Sequence, residues 1–380
     1  MADILILGGG FGGLETSNRL RSALGDAHNI TVIDRRDRFT IGAAKLWHIA
    51  GLRSLDDSTR PLSALRERGI DYIEADIDGI EPDTRTVRTS AGSHRADFLV
   101  IALGASFFPA HVEELRPPAY NLYDPGSVRD IRAALEPLDE GRIAVTIMGL
   151  PYKCPPAPYE AAFLIDQYLR EQGRRDRVEL EVYTVQPSPL PVAGPEASRR
   201  VAETLGSRGI ALYSEHEPAR IDSEGHEIHF ANGHRAGFDL LLGVPKHVAP
   251  KVVAESRLAG PKGWITTDPS TLLTEFERVY AIGDCTSIPN AVGEIPKAGV
   301  FAEAQGRVVA DRIIADIGDG DGPTFDGLGY CFLEFAGGEA AKIEGDFLAE
   351  PRPDVSLVGP NAAIFRDKET FVSERLDAWL

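Results

Sequence analysis

Asp3-Ile4-Leu5-Ile6-Leu7-Gly8-Gly9-Gly10-Phe11-Gly12-Gly13 is an apolar run followed at once by a glycine cluster. Asp3 to Leu7 reads as a short buried strand. Gly8 to Gly13 satisfies G-x-G-x-x-G, with Phe11 and Gly12 filling the variable part. In that pattern Gly8 permits the tight turn, Gly10 lets backbone approach a pyrophosphate, and Gly13 lets a helix pack close to the strand. Leu14, Leu20 and Leu24 are the expected buried positions of that helix. A second strand, Ile30 to Ile33, ends at Asp34, an acid placed to bond a ribose hydroxyl. Arg35 and Arg36 beside it hint at a 2′-phosphate, although Asp34 would repel one. A lone glycine cluster is weak; strand, glycines, helix, strand and acid in 34 residues predict a dinucleotide-binding α/β unit.

Working outward, Arg142 to Met148 reads as another strand and Ala157 to Gln172 as a helix. Their junction, Met148-Gly149-Leu150-Pro151-Tyr152-Lys153-Cys154-Pro155-Pro156-Ala157-Pro158-Tyr159-Glu160, is where a second fingerprint belongs. Only Gly149 remains, and Cys154 stands where pyrophosphate-binding glycines are expected. Val178 to Thr184 and Leu240 to Val244 read as strands, Pro195 to Leu205 as a helix, and Asn232-Gly233 as a hairpin turn. This second α/β unit therefore has the form of a nicotinamide domain without its fingerprint. Lys297-Ala298-Gly299 precedes a helix from about Val300 to Asp316. Ile317 to Pro323 fails the calcium-loop pattern, since Leu328 stands where the bidentate acid belongs, and no metal site is expected. From Phe325 the sequence reads as a hairpin and a last helix, about Ile364 to Leu380.

Composition narrows the class. The chain has 380 residues, 43% of them hydrophobic, with 40 Lys plus Arg against 58 Asp plus Glu, net −18. That balance argues against nucleic acid and against an anionic membrane surface. No apolar run approaches the roughly 18–20 residues of a membrane span. The strand beginning at Asp3 leaves no room for a signal peptide, so a cytoplasmic location is the expectation. Three cysteines are not a structural disulfide framework; in a reducing compartment a pair is more readily redox-active.

Two later stretches bear on the ligand. Asp97 to Gly104 resembles the strand-to-glycine return of two-domain flavoproteins, and Arg278 to Asp284 resembles their second FAD motif, Gly283 and Asp284 included. Together with Tyr152 to Glu160, Pro296-Lys297-Ala298-Gly299 and Tyr330-Cys331-Phe332, they resemble the flavoprotein subunit of flavocytochrome c sulfide dehydrogenase and the sulfide:quinone oxidoreductases. The resemblance covers essentially the whole chain. It implies an FAD-dependent oxidoreductase with two Rossmann-like units: an FAD domain of residues 1–108 and 248–324, interrupted by a degenerate NAD-like domain of residues 109–247, with a small C-terminal segment of residues 325–380. It implies further that Asp284 binds the ribityl chain and that Cys154 and Cys331 are a redox-active pair beside the flavin. Sulfide, or a low-molecular-weight thiol or persulfide, would attack their disulfide. One sulfur would keep a persulfide, and the other, as thiolate, would pass two electrons to FAD and on to a quinone or a soluble acceptor.

The residues themselves add expectations. A sulfur before a helix N-terminus and next to Lys153 should favour thiolate. Glu160 is a candidate proton shuttle or else a helix-start acid, and Lys297 a candidate cation at the flavin N1–C2=O edge. Cys285 is expected to be structural. Ile41 occupies the position of the family's flavin-linked cysteine, so FAD should be non-covalent; no C-x-x-C-H is present to carry haem. Eight aromatic side chains between Phe325 and Leu380 read either as core or as an apolar acceptor pocket, with Phe332 and Phe365 as its candidate walls. The mixed-charge tail predicts at most weak peripheral membrane contact, and a homodimer stays open. Two rival functions remain: an NAD(P)H-dependent flavin reductase, and a non-catalytic flavoprotein that docks a redox partner.

Overall fold

The computed structural model describes residues 1–380. Two parallel five-stranded sheets carry the architecture. The first has the order Val279–Ala281, Phe98–Ile101, Asp3–Leu7, Asn29–Asp34, Asp71–Glu74. The second runs Ala119–Asn121, Leu240–Val244, Gly141–Ile147, Val178–Tyr183, Ala211–Tyr213. Parallel sheets need cover on both faces, which is why their strands read as unbroken apolar runs. Phe98, Leu99, Val100 and Ile101 are all buried, as are Leu240 to Val244. The chain passes between the sheets twice, and its two crossings, Ser106–Phe107 and His247–Val248, pair antiparallel.

Nine α-helices cover these sheets: α1 (Phe11–Leu24), α2 (Gly42–Ile49), α3 (Pro109–Glu114), α4 (Ser127–Leu135), α5 (Ala157–Glu171), α6 (Gly194–Ser207), α7 (Lys251–Ala254), α8 (Gly299–Ile317) and α9 (Ala362–Trp379). The glycine cluster does its expected work at the head of α1. Gly8 has φ +105°, and a Cβ there would fall 2.3 Å from the Ala102 carbonyl oxygen. A Cβ on Gly13 would fall 1.9 Å from the Gly8 carbonyl oxygen, so α1 sits against its strand only because that residue is glycine. Leu14 and Leu20 are fully buried, while Leu24 is half-buried.

The C-terminal segment is larger than the expected hairpin. Leu328–Ala336, Glu339–Asp346 and Asp354–Asn361 form a three-stranded antiparallel sheet. The third strand escaped notice because it is mostly exposed and carries Gly359-Pro360, a pair that demotes a strand reading. Asn361 then caps α9, its side chain accepting from the Ala363 and Ile364 N–H groups at 2.9 Å. α9 buries Ile364, Lys368, Phe371, Val372, Leu376 and Trp379 against the body, and Trp379 Nε1 donates to Glu15 of α1 at 2.8 Å.

Candidate active site

The strand Gly141–Ile147 delivers the chain to a loop that turns through Cys154 and enters α5. Cys154 has φ +48°, a left-handed conformation that costs a non-glycine residue on the order of 1–3 kcal/mol unless its surroundings impose it. They do: its N–H donates to the Lys297 carbonyl at 2.7 Å, and its own carbonyl accepts from Tyr123 Oη at 3.0 Å and from the Ala157 N–H at 3.0 Å. Cys331 enters from the C-terminal sheet, in Leu328–Ala336. Cys154 acts on Cys331 electrostatically: burial, then Cys154, pushes the Cys331 thiol well above its usual range. All three cysteines are free thiols. Cys285 lies apart, fully buried, its Sγ directed at the Ile282 and Ile101 carbonyls, and burial pushes it up to about 11.

The expected thiolate at Cys154 is corrected by the protein's own electrostatics. Burial first, and then the Glu160 carboxyl, push this thiol up to about 12; Lys368 and the Ala157 N–H pull the other way without prevailing. Glu160 is not a free shuttle either. It accepts from the Glu334 N–H at 2.7 Å and from Lys368 Nζ at 2.8 Å. Lys368 Nζ also donates to Glu334 Oε2 at 2.7 Å, and Trp47 Nε1 donates to the same oxygen at 2.8 Å. All four side chains are at most 3% exposed. Burial lowers the Lys368 pKa, but the two carboxylates outweigh it and hold the amine protonated. Burial raises Glu160, Glu334 adds to the rise, and Lys368 opposes it. No local sequence signal marks Lys368 or Glu334, which reach Glu160 from 208 and 174 residues away.

The glycine junction has features that fit a dinucleotide. A Cβ on Gly10 or Gly104 would meet nothing within 4 Å, so backbone there is open to close approach. Asp34 is 6% exposed and accepts the Gly9 N–H at 2.7 Å, tying the ribose position to the glycine turn. Arg35 is exposed; it is Arg36 that grips both Asp34 oxygens, at 2.6 and 3.0 Å. Burial pushes Asp34 up, but Arg36 and the backbone N–H donors overcome it and leave the carboxyl below its usual value. Asp284 Oδ1 is buried without any hydrogen-bond partner, and burial raises its pKa against the pull of Lys153 and Lys297. Such an orphaned oxygen calls for a donor from a ligand. Gly283 holds φ +72°, and its N–H is taken by Gln305 Oε1 at 2.7 Å.

Lys297 has partners within the chain. Its Nζ donates to the Asp284 and Thr286 carbonyls at 2.9 and 2.7 Å and lies 3.7 Å from the Trp264 ring centroid. Its backbone, through the bond to Cys154, is what touches the reactive loop. The expected acceptor walls also separate. Phe332 packs with Tyr330 and Phe371 at 5.5 and 5.8 Å, and Phe371 continues to Phe11, which also meets Phe39 and Trp379. Phe365 instead stands 6.5 Å from Trp47.

Two family models match this chain: pyridine nucleotide-disulphide oxidoreductase over residues 160–306, and the central part of the sulfide dehydrogenase (flavocytochrome c) flavoprotein chain over residues 129–181. The second match spans the Cys154 junction. The chain is an oxidoreductase similar to the pyridine nucleotide-disulphide oxidoreductases. This oxidoreductase is 25% identical to the mitochondrial sulfide:quinone oxidoreductase of Mus musculus over 368 residues, covering 92% of the chain and 79% of the relative. It is 27% identical to the sulfide-quinone reductase of Aquifex aeolicus over 368 residues, covering 92% and 83%. The solved sulfide:quinone oxidoreductase of Aquifex aeolicus superposes with TM-score 0.85 at 23% identity, over 98% of this chain and 90% of that one, and so shares its fold. The oxidoreductase is an FAD-dependent flavoenzyme similar to the sulfide:quinone oxidoreductases.

Proposed function

We propose that this flavoenzyme oxidises sulfide, or a low-molecular-weight thiol or persulfide, through Cys154 and Cys331, and that its electrons leave through non-covalent FAD to a quinone-class acceptor. The observation that carries the proposal is the convergence of the two sulfurs. They lie 177 positions apart in sequence, one on the loop before α5 and one on a strand of the C-terminal sheet, yet Cys154, Glu160 and Asp284 all raise the Cys331 thiol. The chemistry FAD supplies when bound is reversible two-electron transfer. Gly8 to Gly13 would hold its diphosphate, Asp34 a ribose and Asp284 the ribityl chain, as the open Gly10 face and the orphaned Asp284 oxygen support.

The chain's own residues then act as follows. In the oxidised pair, hydrosulfide attacks one sulfur; the S–S bond breaks, a persulfide stays on the attacked cysteine and a thiolate leaves on its partner. Burial makes that thiolate costly, which favours its giving up charge over its resting there. Glu160 is held through Oε1 by Lys368 and the Glu334 N–H, and with its pKa raised by burial its other oxygen is our candidate to take or give the accompanying proton.

The second α/β unit is badly suited to a nicotinamide dinucleotide. Pro155, Pro156 and Pro158 have no N–H. The Ala157 N–H is bonded to Cys154, and those of Tyr159 and Glu160 to Pro156. A helix N-terminus with no free donors is a poor phosphate site. As acceptor wall we propose Phe332 with Tyr330 and Phe371 in place of the pair Phe332 and Phe365. No helix is long and apolar enough to cross a membrane; cytoplasmic residence with at most peripheral membrane contact belongs to the same proposal. The test is anaerobic titration of the flavin spectrum. Sulfide should bleach the oxidised band stoichiometrically and NADH should not. Rapid bleaching by NADH with indifference to sulfide would replace the proposal with a nicotinamide-dependent reductase.

A further inference from the structure

The buried set Glu160, Lys368 and Glu334 holds two carboxylates for one amine, so on balance it does not compensate an anion at the neighbouring Cys154. The compensation has to come from elsewhere. The chain has eight lysines, and four of them, Lys251, Lys262, Lys342 and Lys368, stand within ion-pair distance of a carboxylate. The other four, Lys45, Lys153, Lys246 and Lys297, do not, in a chain of net charge −18. All four gather around the Cys154 loop. Lys153 precedes the cysteine, and its Nζ lies 5.6 Å from the Phe107 ring centroid. The Lys297 carbonyl holds the Cys154 N–H, but its ammonium is spent on two carbonyls and Trp264. Lys246 lies beneath Gly149, where a Cβ would come 3.0 Å from its own Cβ, with its ammonium 6.0 Å from the Phe108 ring centroid. Lys45 reaches in from α2: its Nζ donates to the Tyr123 carbonyl at 3.4 Å, while the hydroxyl of the same tyrosine holds the Cys154 carbonyl. One tyrosine thus meets both the amine and the backbone of the cysteine.

We propose that Lys45 and Lys153 are specificity residues that make the approach to Cys154 selective for small sulfur anions over neutral or cationic thiols. This rests on Cys154 as the reacting sulfur. The physical reason is plain: two half-buried amines with no carboxylate within ion-pair distance favour an anion that arrives beside them and penalise a further cation. Burial and then Lys153, with Arg36 adding, lower the Lys45 pKa to about 7, while Asp124 and Cys154 oppose the fall. Burial also lowers Lys153, with Asp284 opposing and Arg36 assisting. On the helices packed against α2, the nearby charges are otherwise engaged: Arg132 of α4 bonds the Ile49 carbonyl, and Glu160 of α5 is held by Lys368. The Lys45 charge is therefore present below about pH 7 and lost above it, and the anion preference should follow it.

Iodoacetate and iodoacetamide are near-isosteric, one anionic and one neutral, and both report on the same sulfur. Their rate ratio cancels accessibility and thiolate fraction, which a merely structural role of either lysine would change. In the FAD-loaded protein carrying Cys285→Ser and Cys331→Ser, the iodoacetate-to-iodoacetamide ratio at Cys154 should fall about tenfold in Lys45→Met and in Lys153→Met. In the lysine-intact protein the ratio should fall as pH rises through 7, and Lys45→Arg should hold it constant. An unchanged ratio in both methionine variants overturns the proposal. Should Lys45→Met fail to fold, Lys45→Arg decides alone: a constant ratio supports the proposal, and a fall with pH like that of the intact protein overturns it. Comparing hydrosulfide with mercaptoacetate as reductants of the bound flavin separates an inorganic from an organic source of the anion. A flavin that sulfide cannot reduce would sink the proposed function while leaving the alkylation ratio to be read on its own.

Discussion

After Leu7 the chain turns through Gly8 and enters α1 over an open Gly10; after Ile147 it turns through Gly149 and enters α5 over three prolines and a left-handed cysteine. Both junctions are strand, turn and helix in a parallel sheet. At the first, a Cβ on Gly10 would meet nothing within 4 Å, leaving the backbone open to a ligand. At the second, each N–H of the first helical turn is absent or already bonded, and the space is filled by side chains: Tyr159 is fully buried and Tyr152 nearly so. The lesson is that one supersecondary unit becomes a phosphate cradle or a thiol mount according to whether its turn offers backbone donors or withholds them.

The largest test of this contrast lies at the thiols. Cys154→Ser and Cys331→Ser should each abolish sulfide-dependent flavin reduction, since each removes half of the relay, while Cys285→Ser should keep most of it. A dead Cys285→Ser beside a live Cys331→Ser would move the function to the wrong junction. Next comes the support beneath the mount. Lys368→Met leaves two carboxylates buried against each other and should cost about 3–5 kcal/mol in chemical denaturation. A loss under about 1 kcal/mol, the scale of an exposed pair, would show the set to be solvated in solution.

The glycines themselves sharpen the comparison further. Gly13→Ala drives a Cβ into the Gly8 carbonyl and should cost about 1–3 kcal/mol and release FAD on dialysis. Gly149→Ala meets only Lys246 and His111 side-chain atoms at 3.0 and 3.3 Å, and should change stability by less than about 1 kcal/mol. Equal penalties would erase the distinction between the two turns. The smallest effect belongs to Asp34. Its folded pKa is lowered, so its contribution is present above the unfolded value of about 3.9 and is lost as pH falls through the folded one. Asp34→Asn should therefore lower the melting temperature at pH 7, by the equivalent of at most about 1 kcal/mol because Arg36 is half exposed, and the gap should close on acidification. A gap that widens toward acid would have the sign reversed.

What the sequence made legible was whatever is local. The strand at Asp3–Leu7, the glycine turn, the buried strand at Leu240–Val244 and the missing second fingerprint each lie within a dozen residues, and the structure has them where the pattern put them. The Cys154 and Cys331 partnership came only from resemblance, because no spacing rule spans a whole inserted domain. Lys368 and Glu334 were invisible for a related reason. A lysine among Arg366, Asp367 and Glu369 reads as a solvated face, and only the docking of α9 turns it inward. The thiolate expectation failed because proximity in sequence, Lys153 beside Cys154, was weighed without the desolvation that the fold imposes. Phe365 was misplaced by treating aromatic enrichment as one pocket, when α9 sends Phe365 to Trp47 and Phe371 to Phe332.

The contribution of the C-terminal sheet and α9 to the site bears on biosynthesis. Cys154 leaves the ribosome 177 residues ahead of Cys331 and even further ahead of Lys368. At the usual pace of translation that is an interval of about 10–35 s. During it the first sheet, still lacking Val279–Ala281, can begin to form around its glycine turn, while Cys154 waits with neither its partner sulfur nor the amine that steadies Glu160. A nascent chain stalled before residue 331 would carry Cys154 without Cys331. The proposed redox centre would thus be a late product of synthesis, completed when the last helix closes over the first.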